Sequence, residues 1–167
     1  SMFVDVWKKS LLYARTEDDI KTLEDLCNFG KSLGEDRNAP LSLFEAVARH
    51  ALKDDKSNEN YTIIAQRYYD CLQACQTGNN GRGWIAEQAV KWGSQLVLDN
   101  VAEGFSAETK DLEITKKLDE LLTEISKNPE QLGFSEKVKE IIEINKELYS
   151  VQLKVMDPIM QARIKDS

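Results

Sequence analysis

The sequence predicts an all-α protein, a bundle of six to seven helices with a C-terminal antiparallel helical hairpin. Three observations carry that expectation. Apolar residues recur at three- and four-residue spacing through almost the whole chain, which gathers them on one face of a helix. Alternation of the kind a half-buried strand needs never persists beyond a few residues. Polar clusters containing Gly, Pro and Asn separate the periodic segments at helix-length intervals.

Each element has its own reason. Val4, Trp7, Leu11 and Ala14 form the stripe of a first helix. "TEDDIKTLEDLCNFG" opens on Thr16 with Asp19 three residues on. This acid-rich first turn suits the positive end of a helix dipole. Ile20, Leu23, Leu26 and Cys27 supply its apolar face, and Gly30 is the expected stop. "GEDRNAP" reads as a polar turn that Pro40 biases away from helix, so the next helix is expected to begin with a capping box at Ser42 and Glu45. Leu43, Phe44, Val47 and Ala51 form its face. Beyond the loop "KDDKSNEN", a clear helical pattern runs through Tyr61, Ile64, Ala65, Tyr68, Leu72 and Cys75. A fifth helix begins near Trp84 and carries Ile85, Ala89, Trp92 and Leu96.

From Ser106 the composition shifts to Glu, Lys, Leu and Ile. Leu112, Leu118, Leu121, Leu122 and Ile125 mark one helix, which Pro129 and Gly133 interrupt. Val138, Ile141, Ile142, Leu148, Val155 and Ile159 mark a longer one. The chain therefore divides into an N-terminal helical bundle, residues 1–104, and a C-terminal hairpin, residues 105–167, packed on the same domain. The long helix is expected to have one apolar face flanked by Glu and Lys, and so to need one partner. Its shorter neighbour covers only part of it. The uncovered end, Leu153, Met156, Ile159 and Met160, is the expected contact surface for a homodimer or another helix.

Composition limits the function. The 167 residues suffice for one domain with a real core, and 41% hydrophobic with 31% charged residues is the balance of a soluble globular chain. No apolar run approaches the roughly 20 residues of a membrane span. Ser1-Met2 reads as a cloning remnant, so the chain is expected to be a piece of a longer protein, with no membrane insertion by this piece. Net charge is −7, from 22 basic and 29 acidic residues, and no basic tail hides inside the average: 12 basic and 16 acidic residues precede Gly104, and 10 and 13 follow it. Nucleic acid is an unfavourable partner for such a surface. Three cysteines, an odd number, do not suggest a disulfide framework. A cytoplasmic, reducing compartment is expected.

The motifs that carry chemistry are few. "GNNGRG" follows a helix rather than a strand and lacks the Gly-Lys-Ser/Thr ending of a phosphate-binding loop, so it reads as a helix connector. Arg82 and Gly83, at the start of the next helix, remain an alternative anion contact that would make the chain a small-ligand domain. Cys71 and Cys75 lie one turn apart. Zinc would need Cys27 and His50 from other helices as well, so packing is the expectation and no metal or cofactor is expected. His50 is read as a surface residue without a nucleophile nearby. The acidic clusters Glu17 to Asp19 and Asp54-Asp55 sit where helix starts and loops expect acids. Trp84 and Trp92 share a face suited to a core, with Trp84 beside the glycine loop also a candidate partner contact.

"PLSLFEAVARHA" from Pro40 and "GRGWIAEQAVKW" from Gly81 together resemble the paired helix starts in cytoplasmic helical domains of inner-membrane platform proteins of type II secretion and type IV pilus systems. The resemblance implies an all-helical cytoplasmic assembly domain. Without an assembled catalytic constellation, the residues themselves suggest a noncatalytic helical module that binds or assembles with protein.

Overall fold

Apolar periodicity becomes helix wherever the chain is described. The computed structural model describes residues 17–34, 38–53, 57–77, 84–103 and 109–166, and among them there are six α-helices and no strand. These are α1 (Glu17–Ser32), α2 (Asn38–Lys53), α3 (Asn58–Thr77), α4 (Trp84–Glu103), α5 (Thr109–Lys127) and α6 (Glu136–Asp166), with a short 3-10 turn at Pro129–Leu132. The predicted first helix, with Val4, Trp7, Leu11 and Ala14, lies outside the described residues. So does the "GNNGRG" loop.

Two helix boundaries differ from expectation. Gly30 does not stop α1, which runs on to Ser32 with Gly30 buried inside it. A glycine stop needs a left-handed backbone, and among the described glycines only Gly133 has one (φ 69°). Helix α1 closes instead through Leu33 N–H donating to the Gly30 carbonyl at 3.2 Å and the Ser32 hydroxyl donating to the Phe29 carbonyl at 2.6 Å. Helix α2 begins at Asn38, four residues before the expected capping box. Pro40 falls in its first turn, where a missing N–H costs no helical hydrogen bond, so a proline read as a breaker becomes part of the helix start. Glu45 does not cap. It bridges Lys31 on α1 at 3.3 Å and Arg49 one turn on at 3.5 Å, and Arg49 also pairs with Glu24 of α1.

The largest fully buried side chains include Tyr68, Tyr149, Phe44, Leu41, Leu43 and Ile64, and one continuous cluster of buried residues extends from Leu23 on α1 to Tyr149 on α6. Helix α4 packs on α2, α3 and α6. Its approach to α2 depends on Gly93: a β-carbon there would lie 3.1 Å from both Leu43 methyls and 3.4 Å from Tyr68 Cδ1. Trp92 beside it is half-buried and stacks on Phe44, ring centroids 5.4 Å apart.

Helices α5 and α6 pack together on either side of the 3-10 turn. Ser126 donates to Glu143 at 2.8 Å, while farther from the turn Thr115 reaches the Met156 sulfur at 3.8 Å and Lys116 meets Asp157 at 3.5 Å. Gly133 ends the turn in the left-handed conformation, its N–H donating to the Glu130 carbonyl at 3.1 Å. Lys139 on α6 donates to Glu130 in the turn and to Glu136, and these bonds hold its ammonium pKa above the usual lysine value.

Candidate interaction surface

Helix α6 carries two apolar rows where the sequence suggested one. Val138, Ile142, Asn145, Tyr149 and Met156 are buried and form the inner row. Ile141, Ile144, Leu148, Val151 and Val155, spaced by three, four, three and four residues, form the outer row roughly a quarter-turn or more around the helix. Ile144, Val151 and Val155 are 48%, 58% and 53% exposed, and Ile141 and Leu148 are half-buried. The expectation of a single face arose because the apolar residues of both rows merge into one list along the sequence. A polar residue in the inner row, Asn145, hides the fact that there are two.

Asn145 is the polar member of the buried row. Its carboxamide is fully buried and donates to the Ser94 carbonyl of α4 at 3.4 Å and to the Ile141 carbonyl at 3.0 Å. Ser94 in turn donates its hydroxyl to Tyr68 Oη at 2.9 Å. The resulting polar group, Tyr68, Ser94, Asn145 and Tyr149, joins α3, α4 and α6 inside the core. Asn145 Oδ1 and Tyr149 Oη have no hydrogen-bond partner among the described residues. Burial raises the pKa values of both phenols, that of Tyr149 further through the neighbouring Tyr68, so neither is poised for proton transfer near neutral pH. Sequence reasoning did not single out Ser94 or Asn145. A polar residue at a core register position was the available signal.

The outer row is edged by Glu140, Glu147 and Lys154, each one residue before a row member and one heptad from the next. All three are exposed, and none forms an ion pair among the described residues. Apolar positions at three- and four-residue spacing between solvated charges have the composition of a coiled-coil seam.

The expected contact residues fare differently. Met156 is 1% exposed beneath Thr115 and cannot form an outer contact, which corrects the expected uncovered end: α5 covers α6 at least that far. Leu153 is half-buried. Ile159 and Met160 belong to α6, but their side chains lie outside the described residues, as does that of Trp84, the first residue of α4. Arg82 and Gly83 lie outside them altogether.

His50 is not a surface residue. It is 7% exposed, with Nδ1 2.7 Å from the Asn60 amide nitrogen and its ring 5.3 Å from that of Tyr61, so α3 covers what the pattern of α2 alone placed at a polar edge. Cys27, Cys71 and Cys75 are buried and form no disulfide. Burial pushes the Cys27 thiol up to about 12, with Glu45 adding to the effect. Cys71 is raised by its hydrogen bond with Cys75 and by burial. Among the described residues no group of three or more His, Cys, Asp or Glu side chains could hold a metal, and no helix is long and apolar enough to cross a membrane. No family model, curated protein or solved structure matches the chain.

Proposed function

We propose that the chain is a noncatalytic helical interaction or assembly module of a reducing compartment, a bundle closed by an antiparallel hairpin of α5 and α6. The hairpin reading is supported by the contacts Ser126–Glu143 near the turn and Thr115–Met156 and Lys116–Asp157 far from it, whose order along the two helices runs in opposite directions. The interaction reading rests on one observation: the outer row of α6 leaves Ile144, Val151 and Val155 about half exposed along a single helix face. Leaving such a row in water forgoes burial worth about 25 cal/mol per Å² of apolar surface, which a partner helix recovers.

The test compares the native chain with Val151→Glu/Val155→Glu. Both positions are exposed, so the helical circular dichroism should be unchanged and the unfolding free energy should stay within about 0.5 kcal/mol of the native value. Protein association, read by cross-linking and light scattering in extract of the native host, should be lost in the variant. A native chain that neither self-associates nor retains a specific protein would overturn the reading.

A further inference from the structure

The outer row of α6 also indicates which partner it fits, an inference that rests on the interaction reading above. We propose that the row pairs with the same row of a second copy of this chain, the two helices antiparallel, with Leu148 of one against Val151 of the other and Glu147 opposite Lys154. Two observations carry this. The row has an unbroken three-four-three-four spacing, so it can interdigitate as the seam of a two-helix coil. Beside Leu148 and Val155 its solvent edge bears charges of opposite sign one heptad apart, Glu147 and Lys154, both exposed and without an ion pair among the described residues, with Glu140 one heptad before Glu147.

An antiparallel two-fold pairing makes these features self-complementary. Setting Leu148 against Val151 sets Ile144 against Val155, and the symmetry repeats both pairs, giving four apolar layers. In that register Glu147 faces Lys154 of the second copy, and Lys154 faces its Glu147, so both charges find opposite partners. A parallel pairing would bring Glu147 near Gln152 of the other helix instead and leave both charges unanswered. A strongly basic partner would leave Lys154 unmatched, and a strongly acidic one would leave Glu140 and Glu147 unmatched. Four layers are small beside the roughly 800 Å² per partner of a standard interface, so the dimer is weak and concentration-dependent.

Sedimentation equilibrium of the full chain over rising concentration is the test, with thermal melts at low concentration as the control for folding. The native chain should pass from monomer to dimer. Glu147→Lys alone, or Lys154→Glu alone, places two like-charge pairs across the seam and should weaken association about tenfold. The double swap restores opposite charges and should recover the native constant, while Val151→Glu should abolish dimerisation with an unchanged melt. A native chain that stays monomeric, or a dimer indifferent to both single swaps, overturns the pairing. If the native chain is monomeric yet binds another protein in a Val151-dependent way, self-pairing falls and the interaction module stands. If it binds nothing, both fall.

Discussion

Asn145 and Ser94, 51 residues apart, meet where α6 crosses α4: the Asn145 amide donates to the Ser94 carbonyl at 3.4 Å, and the Ser94 hydroxyl donates onward to Tyr68. The contact lies on the buried row of α6, together with Val138, Ile142, Tyr149 and Met156. It is a long, weak bond in a dry setting, and Asn145 Oδ1 has no hydrogen-bond partner among the described residues. Its contribution is therefore to specify one arrangement more than to stabilise it.

That distinction can be measured on the two buried tyrosines. Tyr149→Phe removes a hydroxyl that has no partner among the described residues, and chemical denaturation should show stability raised by about 1 kcal/mol. Tyr68→Phe removes the acceptor of the Ser94 hydroxyl and should lower stability by about 1 kcal/mol. Equal losses in the two variants would mean that both hydroxyls are equally engaged.

Gly93 and Leu43 form a tight pair. Alanine at 93 gains about 1 kcal/mol of helix propensity but presses a methyl to 3.1 Å from both Leu43 methyls, so the net change should be small. Valine adds two more carbons and should cost about 3 kcal/mol. Leu43→Ala together with Gly93→Val should recover part of that loss, a coupling that denaturation of the four-member cycle would report.

Alkaline stability follows from the buried thiols and phenols. Cys27 stays protonated in the fold until pH about 12, against an ordinary value of 9.0, and Cys71, Tyr68 and Tyr149 are raised as well. The unfolded chain releases these protons first. Stability is therefore fully present below pH 9 and falls as pH climbs toward 12, each such group removing about 1.4 kcal/mol per pH unit within its window. Tyrosinate absorbance should show Tyr68 and Tyr149 ionising only together with loss of the helical signal.

The same burial predicts silent thiols. An aromatic disulfide reagent at neutral pH should label Cys27, Cys71 and Cys75 only at the rate at which the fold opens, and all three at once in denaturant. Fast labelling of any one would place it at the surface.

Much of the fold is legible in the sequence, because Leu23 with Cys27 and Ile64 with Tyr68 and Leu72 are bound to share a helix face whatever packs on them. What misleads is information held between helices. Pro40 reads as a breaker until its place in the first turn of α2 is known, and Gly30 reads as a stop until the packing that carries α1 past it is seen. His50 looks polar-edged on its own helix and becomes buried only because Asn60 and Tyr61 arrive from α3. The outer row of α6 was invisible for a related reason. Whether Ile144 or Ile142 is the inner residue depends on how α6 is rotated against α4 and α5, which its own sequence does not specify.

Pro158 lies exposed inside α6, just past the last member of the outer row. Lacking an N–H, it leaves the carbonyl of Lys154 without its helical donor and breaks the ladder between the body of the helix and its last turns. The eight residues that follow, 159–166, are fewer than the roughly 12 to 15 an isolated helix needs. Helix α6 thus has two exchange regimes along one axis: amides of the inner row should report global opening to deuterium, and those beyond Pro158 a separate, cheaper local event. The proline acts as a clutch, allowing the tail to melt or refold without loosening the core.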